Sequence, residues 1–256
     1  MTIAVVGSGG LAWSLAPALR RAGLDLAALY APAGPNAEAL AVAADAPLNS
    51  WPPRIPCDVF WLATPDDTLP ALADELARTH AGSLIVHSSG ATPLGAIQRA
   101  GLRAGVIYPL ASFARGTALD LAQYPLFTEA EPPALEQVAA LAQSLSGAVH
   151  AFDSAQRLVL HVGAVWANNF SNLMLDVAGE LMQRAGLPAD ARVYLPLMRG
   201  MIDKLETLSP AEAQTGPARR GDRVTISRHR ELLRTLAAEL EPIYTALTAE
   251  IERRHR

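Results

Sequence analysis

The stretch that decides the fold of this chain is its beginning, residues 2–12, which read T-I-A-V-V-G-S-G-G-L-A. The four apolar residues I-A-V-V predict a short buried strand, and an apolar helical pattern follows the glycines. The order G-x-G-x-x-A between a strand and a helix is typical of a turn that holds a dinucleotide. Gly7 allows the sharp turn, Gly9 leaves room for a pyrophosphate, and Ala12 lets the helix pack closely on the sheet. The alternative is a tight turn that binds no ligand.

The first helix, predicted over residues 11–22, begins directly after these glycines. Its first N–H groups have no partner within the helix, so they would face the phosphates of a bound dinucleotide. The residues that we expect to bind the cofactor at this turn are Gly7, Ser8, Gly9, Gly10 and Leu11.

A second strand is predicted over residues 26–30, which completes a βαβ unit of about 30 residues. Dinucleotide-binding proteins read the ribose at the end of this strand, with an acid for NAD or an arginine for the phosphate of NADP. Residues 30–34 read Y-A-P-A-G and supply neither. This stretch therefore does not indicate whether the cofactor is NAD or NADP.

Polar residues follow three further predicted strands, at residues 58–63, 83–87 and 104–108. The carboxyl ends of parallel strands meet at one rim of the sheet, where open α/β folds bind ligands. The residues at these three ends are Thr64, Pro65 and Asp66, then His87, Ser88 and Ser89, and finally Tyr108. We expect them to converge with the glycine turn.

Several of these rim positions have a second interpretation. Thr64 or Asp66 could cap the following helix, and His87 could be a buried histidine with satisfied hydrogen bonds. The serines beside His87 do not predict a serine nucleophile, because the sequence offers neither a G-x-S-x-G turn nor an identifiable acid partner.

Composition excludes several classes of protein. The 256 residues carry a net charge of −4, so we expect neither nucleic acid nor an anionic membrane as a partner. The single cysteine, Cys57, excludes an internal disulfide, and the N-terminus does not read as a signal peptide; both features predict a cytoplasmic protein. Residues 158–175 lack Lys, Arg, Asp and Glu, but their histidine and asparagines favour a buried helix over a membrane span. No metal ligands are predicted.

The alternation of strands and helices stops after residue 153. We therefore predict an α/β domain, residues 1–153, with a doubly wound parallel sheet of the Rossmann type, and an all-α domain, residues 154–256. The first helix of the second domain should run over residues 154–185, roughly 30 residues or about 45 Å. It is apolar around much of its circumference, so we expect burial against a second copy in a homodimer formed through the helical domain.

Three polar residues interrupt the apolar surface of this long helix. His161, Asn168 and Asn172 are seven and four residues apart, which on a regular α-helix places them within about 40° of one another. Polar groups on an otherwise apolar helix need partners, and these are either other buried side chains or a ligand.

Six short motifs spread along the chain carry a family resemblance. They are G-S-G-G-L-A at Gly7, A-T-P-D-D at Ala63, H-S-S-G at His87, Y-P-L-A-S-F at Tyr108, N-N-F at Asn168 and T-G-P-A-R-R-G-D at Thr215. With them the chain resembles the Rossmann-like proteins with a DUF2520 C-terminal domain, within the 6-phosphogluconate dehydrogenase-like and pyrroline-5-carboxylate reductase-like superfamily. The resemblance implies an NAD(P)-binding first domain, a helical second domain that often builds a dimer, and an NADP-dependent oxidoreductase activity on a substrate that is not generally known.

The chain departs from this family at three places. Members typically read H-P-L where this chain has Tyr108-Pro109-Leu110, so an imidazole is missing. Related hydroxyacid dehydrogenases place a lysine one turn before the paired asparagines, where residues 163–167 of this chain read G-A-V-W-A. The second strand also ends without the arginine that NADP-binding relatives use.

The resulting hypothesis is an NAD(P)-dependent oxidoreductase that acts on a small polar metabolite between the two domains, with NADP favoured over NAD only by the resemblance. The nicotinamide half of the cofactor would lie near Thr64, Pro65 and Asp66, beside His87. The expected substrate contacts are Ser88, Ser89, Tyr108, Asn168, Asn172 and Thr215. His87 is the first candidate for the proton donor and His161 is the second. The alternative is a dinucleotide-binding sensor or scaffold that has kept the fold and lost catalysis.

Overall fold

The computed structural model describes residues 1–188 and 190–255. These form two compact units, Met1–Trp166 and the remainder of the chain from Ala167 onward. The division lies inside the helical run that begins at Ser154, so the first helix of that run belongs to the same unit as the sheet. The domain boundary expected after residue 153 stays a prediction.

An eight-stranded sheet forms the centre of the first unit, in the order β3-β2-β1-β4-β5-β6-β7-β8. The strands are β1 (Thr2–Val6), β2 (Asp25–Tyr30), β3 (Leu48–Asn49), β4 (Val59–Leu62), β5 (Leu84–His87), β6 (Arg103–Pro109), β7 (Leu126–Ala130) and β8 (Val149–Ala151). Neighbouring strands are parallel except for β6 and β7. From β1 the chain first adds β2 and β3 on one side and then β4, β5 and β6 on the other. This is the arrangement of a doubly wound α/β fold, and it confirms the predicted fold class.

Helices cover both faces of this sheet. They are α1 (Gly10–Arg21), α2 (Pro35–Ala43), α3 (Leu69–Thr79), α4 (Leu135–Leu145) and α5 (Ser154–Ala164). Alternate residues of the central strands enter opposite cores: Ile3 and Val5 pack with α1, whereas Ala4 packs with α3. Because each side of the sheet is covered, these strands are apolar along their whole length rather than alternating.

Two short elements complete the first unit. Residues 94–96 form a single 3-10 turn, Leu94–Ala96, which does not continue as a helix because Gly95 weakens helix formation and the guanidinium of Arg99 takes the carbonyl of Ala96. The chain after α2 forms the two-residue strand β3, which pairs with the end of β2.

The second unit consists of helices in its described part. They are α6 (Ser171–Arg184), α7 (Leu195–Leu205), α8 (Pro210–Ala213), α9 (Pro217–Arg220), α10 (Arg223–Leu236) and α11 (Glu241–Arg254). Among the described residues of the whole chain, no helix has both the length and the apolar character needed to cross a membrane.

The long helix predicted over residues 154–185 is helical throughout but changes its geometry partway. Asp153 starts α5 with a capping box, accepting the N–H of Gln156 at 2.8 Å. A π-helical segment, Val165–Phe170, then joins α5 to α6. The common face predicted for His161, Asn168 and Asn172 assumed regular α-helical spacing, and that calculation does not apply across a π-helix.

Burial in the second unit is unusually low. Of its described residues, only Gly179, Ala218, Leu233 and Ala237 are buried. Helix α7 buries none of its residues, although it is amphipathic and carries large apolar side chains. A unit with so small an internal core exposes much of the apolar surface that its helices present.

Candidate functional site

The first two glycines of the opening motif have different surroundings. Gly7 has φ of +118°, and a Cβ at this position would overlap the carbonyl oxygen of Ala63, so the protein itself demands glycine. Gly9 has φ of −73°, and a Cβ there would lie 3.9 Å from the same oxygen, the only protein atom within 4 Å in the described part of the chain. The protein therefore leaves the space at Gly9 open.

The N-terminus of α1 lies beside that open space. Its N-cap residue, Gly9, supplies no side-chain hydrogen bond, and the first turn contains no acidic residue. Asn36 braces the turn from α2: its Nδ2 donates to the carbonyl of Ser8 at 2.6 Å, and its Oδ1 accepts the indole N–H of Trp13 at 3.0 Å. The arrangement is a braced loop with free N–H donors, which suits an anion.

A cleft of about 590 Å³ opens at this rim of the sheet. It is lined by Val6, Gly7, Ser8, Gly9, Gly10, Leu11, Tyr30, Ala31, Pro32, Trp51, Leu62, Ala63, Thr64, Pro65, Asp66, Thr68, Leu69, Leu72, His87, Ser88, Ser89 and Arg115. The predicted cofactor residues and the H-S-S triplet at His87 therefore meet in one cavity.

Five of the predicted site residues lie elsewhere. Tyr108 and His161 belong to the first unit but do not line the cleft. Asn168, Asn172 and Thr215 belong to the second unit. Their role in substrate binding stays a prediction.

One end of the cleft is apolar. The rings of Tyr30 and Trp51 meet edge to face, with centroids 6.2 Å apart, and Leu69 and Leu72 line the same cavity. The Tyr30 hydroxyl is buried and makes no hydrogen bond within the described part of the chain, and burial raises its pKa. The nearby backbone of Arg54 and Ile55 opposes this shift and lowers the pKa, although neither residue forms a hydrogen bond with the hydroxyl. An apolar pocket with an unpaired polar atom suits a heteroaromatic ring such as adenine.

The alternative role of Thr64 and Asp66 as helix caps is not found. The 3-10 turn Asp66–Thr68 and helix α3 both begin without a side-chain cap. Asp66 instead accepts hydrogen bonds from the hydroxyls of Ser89 and Thr92, at 2.5 and 2.9 Å. The carboxylate thereby ties the end of β4 to the loop after β5.

His87 is fully buried and neutral. Its Nδ1 accepts the backbone N–H of Ser89 at 3.1 Å, so the proton of the neutral ring is on Nε2. That Nε2 has no hydrogen-bond partner in the described structure. Burial, and to a lesser extent the charge of Arg157, lower the pKa of His87 to about 4. Asp66 and the nearby backbone of Pro93 raise this pKa by a smaller amount, although Pro93 forms no hydrogen bond with the buried Nε2.

Arg157, which sequence reasoning missed, organises the loop behind these residues. It projects from α5, is buried, and forms an ion pair with Glu129 of β7. It also donates to the carbonyls of Ser89 and Thr92, the first at 3.1 Å and the second at 2.6 Å. Its only signal in the sequence is a charged residue in the first turn of an apolar helix.

Tyr108 and His161 form a second polar pair next to this loop. The Tyr108 hydroxyl lies 3.1 Å from Nδ1 of His161, and burial raises the pKa of the phenol while Arg157 opposes the shift. The imidazole packs against Gly90, where a Cβ would lie 2.6 Å from its ring. Val106 is the register partner of His87, so Tyr108 lies one step further toward the rim on the same face of the sheet.

Strand order, glycine turn and rim cleft together define a Rossmann-type fold with a helical C-terminal region. A family model for a domain of unknown function, DUF2520, matches residues 124–251. The chain belongs to this DUF2520 family. No curated protein matches the chain.

Several solved structures are similar along nearly the whole chain. One, from Bacteroides fragilis and provisionally assigned as an NADP oxidoreductase, is 30% identical over 98% of each chain, with a TM-score of 0.89. A Thermotoga maritima protein is 21% identical over 99% of this chain and 98% of its own, with a TM-score of 0.76. An imine reductase from Myxococcus stipitatus, in complex with NADP+, is 18% identical over 98% of this chain and 93% of its own, with a TM-score of 0.61.

The lowered pKa of His87 predicts a specific dependence of stability on pH. The unfolded histidine takes up a proton below pH 6.5, whereas the folded one does so only near pH 4. Folding stability should therefore fall across this window, by about 3 kcal/mol more in the wild type than in His87→Gln. Urea unfolding of both proteins from pH 7.5 to 4 measures the difference, and parallel curves would contradict a buried neutral His87.

Proposed function

We propose that this chain is an NAD(P)-dependent oxidoreductase whose dinucleotide lies along the rim cleft, with its pyrophosphate on the glycine loop. The observation that carries the proposal is the open space at Gly9. The fold does not need glycine there, yet the absent side chain leaves a gap beside the free N–H groups of α1. The similar structures from Bacteroides fragilis and Myxococcus stipitatus support the same class of cofactor.

The lining residues fit the other parts of a dinucleotide. Tyr30, Trp51 and Leu72 would hold the adenine in the apolar end of the cleft. Thr64 and Pro65 would hold the nicotinamide half. Whether the cofactor is NAD or NADP is left to titration, because neither an acid nor an arginine stands at the end of β2.

His87 suits a hydrogen-bond donor better than an acid. Its pKa of about 4 leaves the imidazole neutral near pH 7, so it has no imidazolium proton to transfer. The unpaired Nε2–H could instead orient a carbonyl oxygen, such as that of the nicotinamide carboxamide. The proton-donor role first considered for His87 is thus disfavoured.

Tyr108 and His161 are the proposed source of the proton. A bound nicotinamide supplies the hydride, so the chain itself must orient the partners and deliver one proton. Burial keeps the Tyr108 phenol protonated, and Nδ1 of His161, which lies 3.1 Å from the hydroxyl, can orient it. The substrate would be a small polar imine or carbonyl compound beside Ser88 and Ser89.

Paired glycine variants test the cofactor site. Gly9→Ala should keep the melting temperature of the wild type and bind NADH and NADPH at least about tenfold more weakly, because its methyl group enters only the ligand's space. Gly7→Ala should lose about 1–3 kcal/mol of stability or more, because a side chain there is strained and overlaps Ala63. Calorimetric titration and thermal unfolding measure the two effects.

Three results of this experiment would change the proposal. Unaltered binding by Gly9→Ala would remove the pyrophosphate from the glycine loop. Failure of the wild type to bind either NADH or NADPH would end both cofactor hypotheses. Binding without oxidation of NADH or NADPH, across a panel of imines, ketones and aldehydes, would favour a catalytically silent sensor.

The proton donor is tested by Tyr108→Phe. We expect kcat to fall about 100-fold on any compound of that panel that the wild type reduces, with the dinucleotide dissociation constant unchanged. Tyr124→Phe is the matched control, because this hydroxyl makes no hydrogen bond among the described residues. Equal kcat values for Tyr108→Phe and the wild type would eliminate Tyr108 as the donor.

We also propose that the chain forms a homodimer through its helical unit. The four buried residues of that unit form too small a core for about 90 residues. Helix α7 exposes Leu197, Met201, Ile202 and Leu205 by 71%, 45%, 57% and 41%. A second copy that covers these side chains would supply the missing burial.

The dimer predicts a mass of twice 27.1 kDa in solution. The double variant Leu197→Lys/Ile202→Lys should give a monomer or lose its cooperative unfolding, because charge replaces the apolar contact. Val42→Lys, at a side chain of α2 that is 83% exposed in the first unit, should stay dimeric. Light scattering after size exclusion measures all three proteins, and a monomeric wild type would overturn the proposal.

A further inference from the structure

We infer that Arg115 is a second phosphate ligand, brought to the glycine loop by residues 110–120, the connection that follows β6. This inference rests on the proposed function, because it assigns a residue to the diphosphate of the same dinucleotide. Neither the glycine motif nor the second-strand position predicts it, since Arg115 comes about 100 residues later in the chain.

The 110–120 segment is fixed against α1 at two points. A Cβ on Gly10 would lie 2.9 Å from the backbone carbon and oxygen of Phe113, so the segment crosses directly over the start of the helix. One turn further, the buried hydroxyl of Ser14 accepts the N–H of Leu119 at 3.0 Å. The segment is therefore held against the helix whose N-terminus is proposed to receive the phosphates.

The side chain of Phe113 adds a third attachment. It packs against the apolar core that contains Ala12 and Leu15 of α1. Arg115 follows two residues later and lines the cleft, with an exposed side chain. The anchored backbone thus brings a long, adaptable cation to the mouth of the cavity without fixing its final position.

The charges in the cleft favour an anion at this place. Arg115 is the only Lys or Arg among the residues that line it, and makes no ion pair or hydrogen bond in the described part of the chain. The one acid in the lining, Asp66, is already bonded to Ser89 and Thr92. A guanidinium fork beside free helix N–H groups matches the two negative charges of a diphosphate.

This geometry also explains the third glycine of G-S-G-G. Gly10 is helical and does not have a positive φ, so the helix itself would accept alanine there. The contact that excludes a side chain is the backbone of Phe113 and Ala114. Gly10 is needed so that the segment carrying Arg115 can approach.

The first test compares Arg115→Gln with Arg21→Gln by calorimetric titration. Arg21 is exposed at the far end of α1 and lies outside the cleft lining, so its variant controls for the change in net charge. We expect Arg115→Gln to bind NADH, NADPH and ADP-ribose about tenfold more weakly than the wild type. Its affinity for adenosine should equal that of the wild type. Arg21→Gln should match the wild type for all four ligands.

The second test is a double-mutant cycle with Gly10→Ala. If its methyl group acts by displacing the 110–120 segment, it should weaken ADP-ribose binding by a similar factor, and the double variant should lose no more than Arg115→Gln alone. Losses that multiply would mean that the methyl group obstructs the phosphate itself, and would overturn the explanation of Gly10.

The outcomes separate this inference from the proposed function. Normal ADP-ribose binding by Arg115→Gln, in a protein whose wild type binds NADH or NADPH, overturns the role of Arg115 and leaves the cofactor site intact. An equal loss of affinity for adenosine and for ADP-ribose also overturns it, because adenosine has no diphosphate and a residue that binds only the diphosphate would not contact it. A wild type that binds none of these ligands overturns the proposed function.

Discussion

The geometry of the rim depends on one buried charge, the guanidinium of Arg157. Removing such a group from water costs several kcal/mol, so every donor must find an acceptor. The acceptors here are the Glu129 carboxylate and the carbonyls of Ser89 and Thr92. These bonds set the path of the loop that lines the cleft, and the same positive charge helps to keep His87 neutral. A single arginine on α5 thus shapes the loop of the rim and adds to the effect of burial on His87.

The glycine turn combines three separate constraints in four residues. Gly7 is imposed by the carbonyl of Ala63 and by its positive φ, and Gly10 by the passing backbone of Phe113. At Gly9 the protein makes no such demand, which is why that position carries the cofactor proposal. A motif match treats the glycines as one signature, whereas the surroundings of each separate packing from ligand binding.

The sequence was sufficient for the elements with a strong local signal. Continuous apolar runs ending in polar residues predicted the parallel strands, and the prediction that Thr64, His87 and the glycine turn lie together followed from strand polarity alone. Residues whose role depends on distant partners gave no such signal. Arg157 of α5 forms its ion pair with Glu129 of β7, which is distant in sequence, and Arg115 reaches the cleft only because its segment crosses α1. Local pattern could not distinguish a π-helix at Val165–Phe170 from a continued α-helix either, because over six residues the two helices give nearly the same side-chain spacing.

Apolar periodicity also cannot say what a helix is buried against. Helix α7 is amphipathic, a pattern typical of any helix that buries one face. In the structure it buries none of its residues, and its unit buries only four in the described part of the chain. Conformational entropy opposes folding by about 1–2 kcal/mol per residue, and this cost is the physical reason for the proposal that a second copy covers these helices. The two halves of the chain therefore differ in what stabilises them: the sheet unit contains its own core, whereas the helical unit has a surface suited to an assembly.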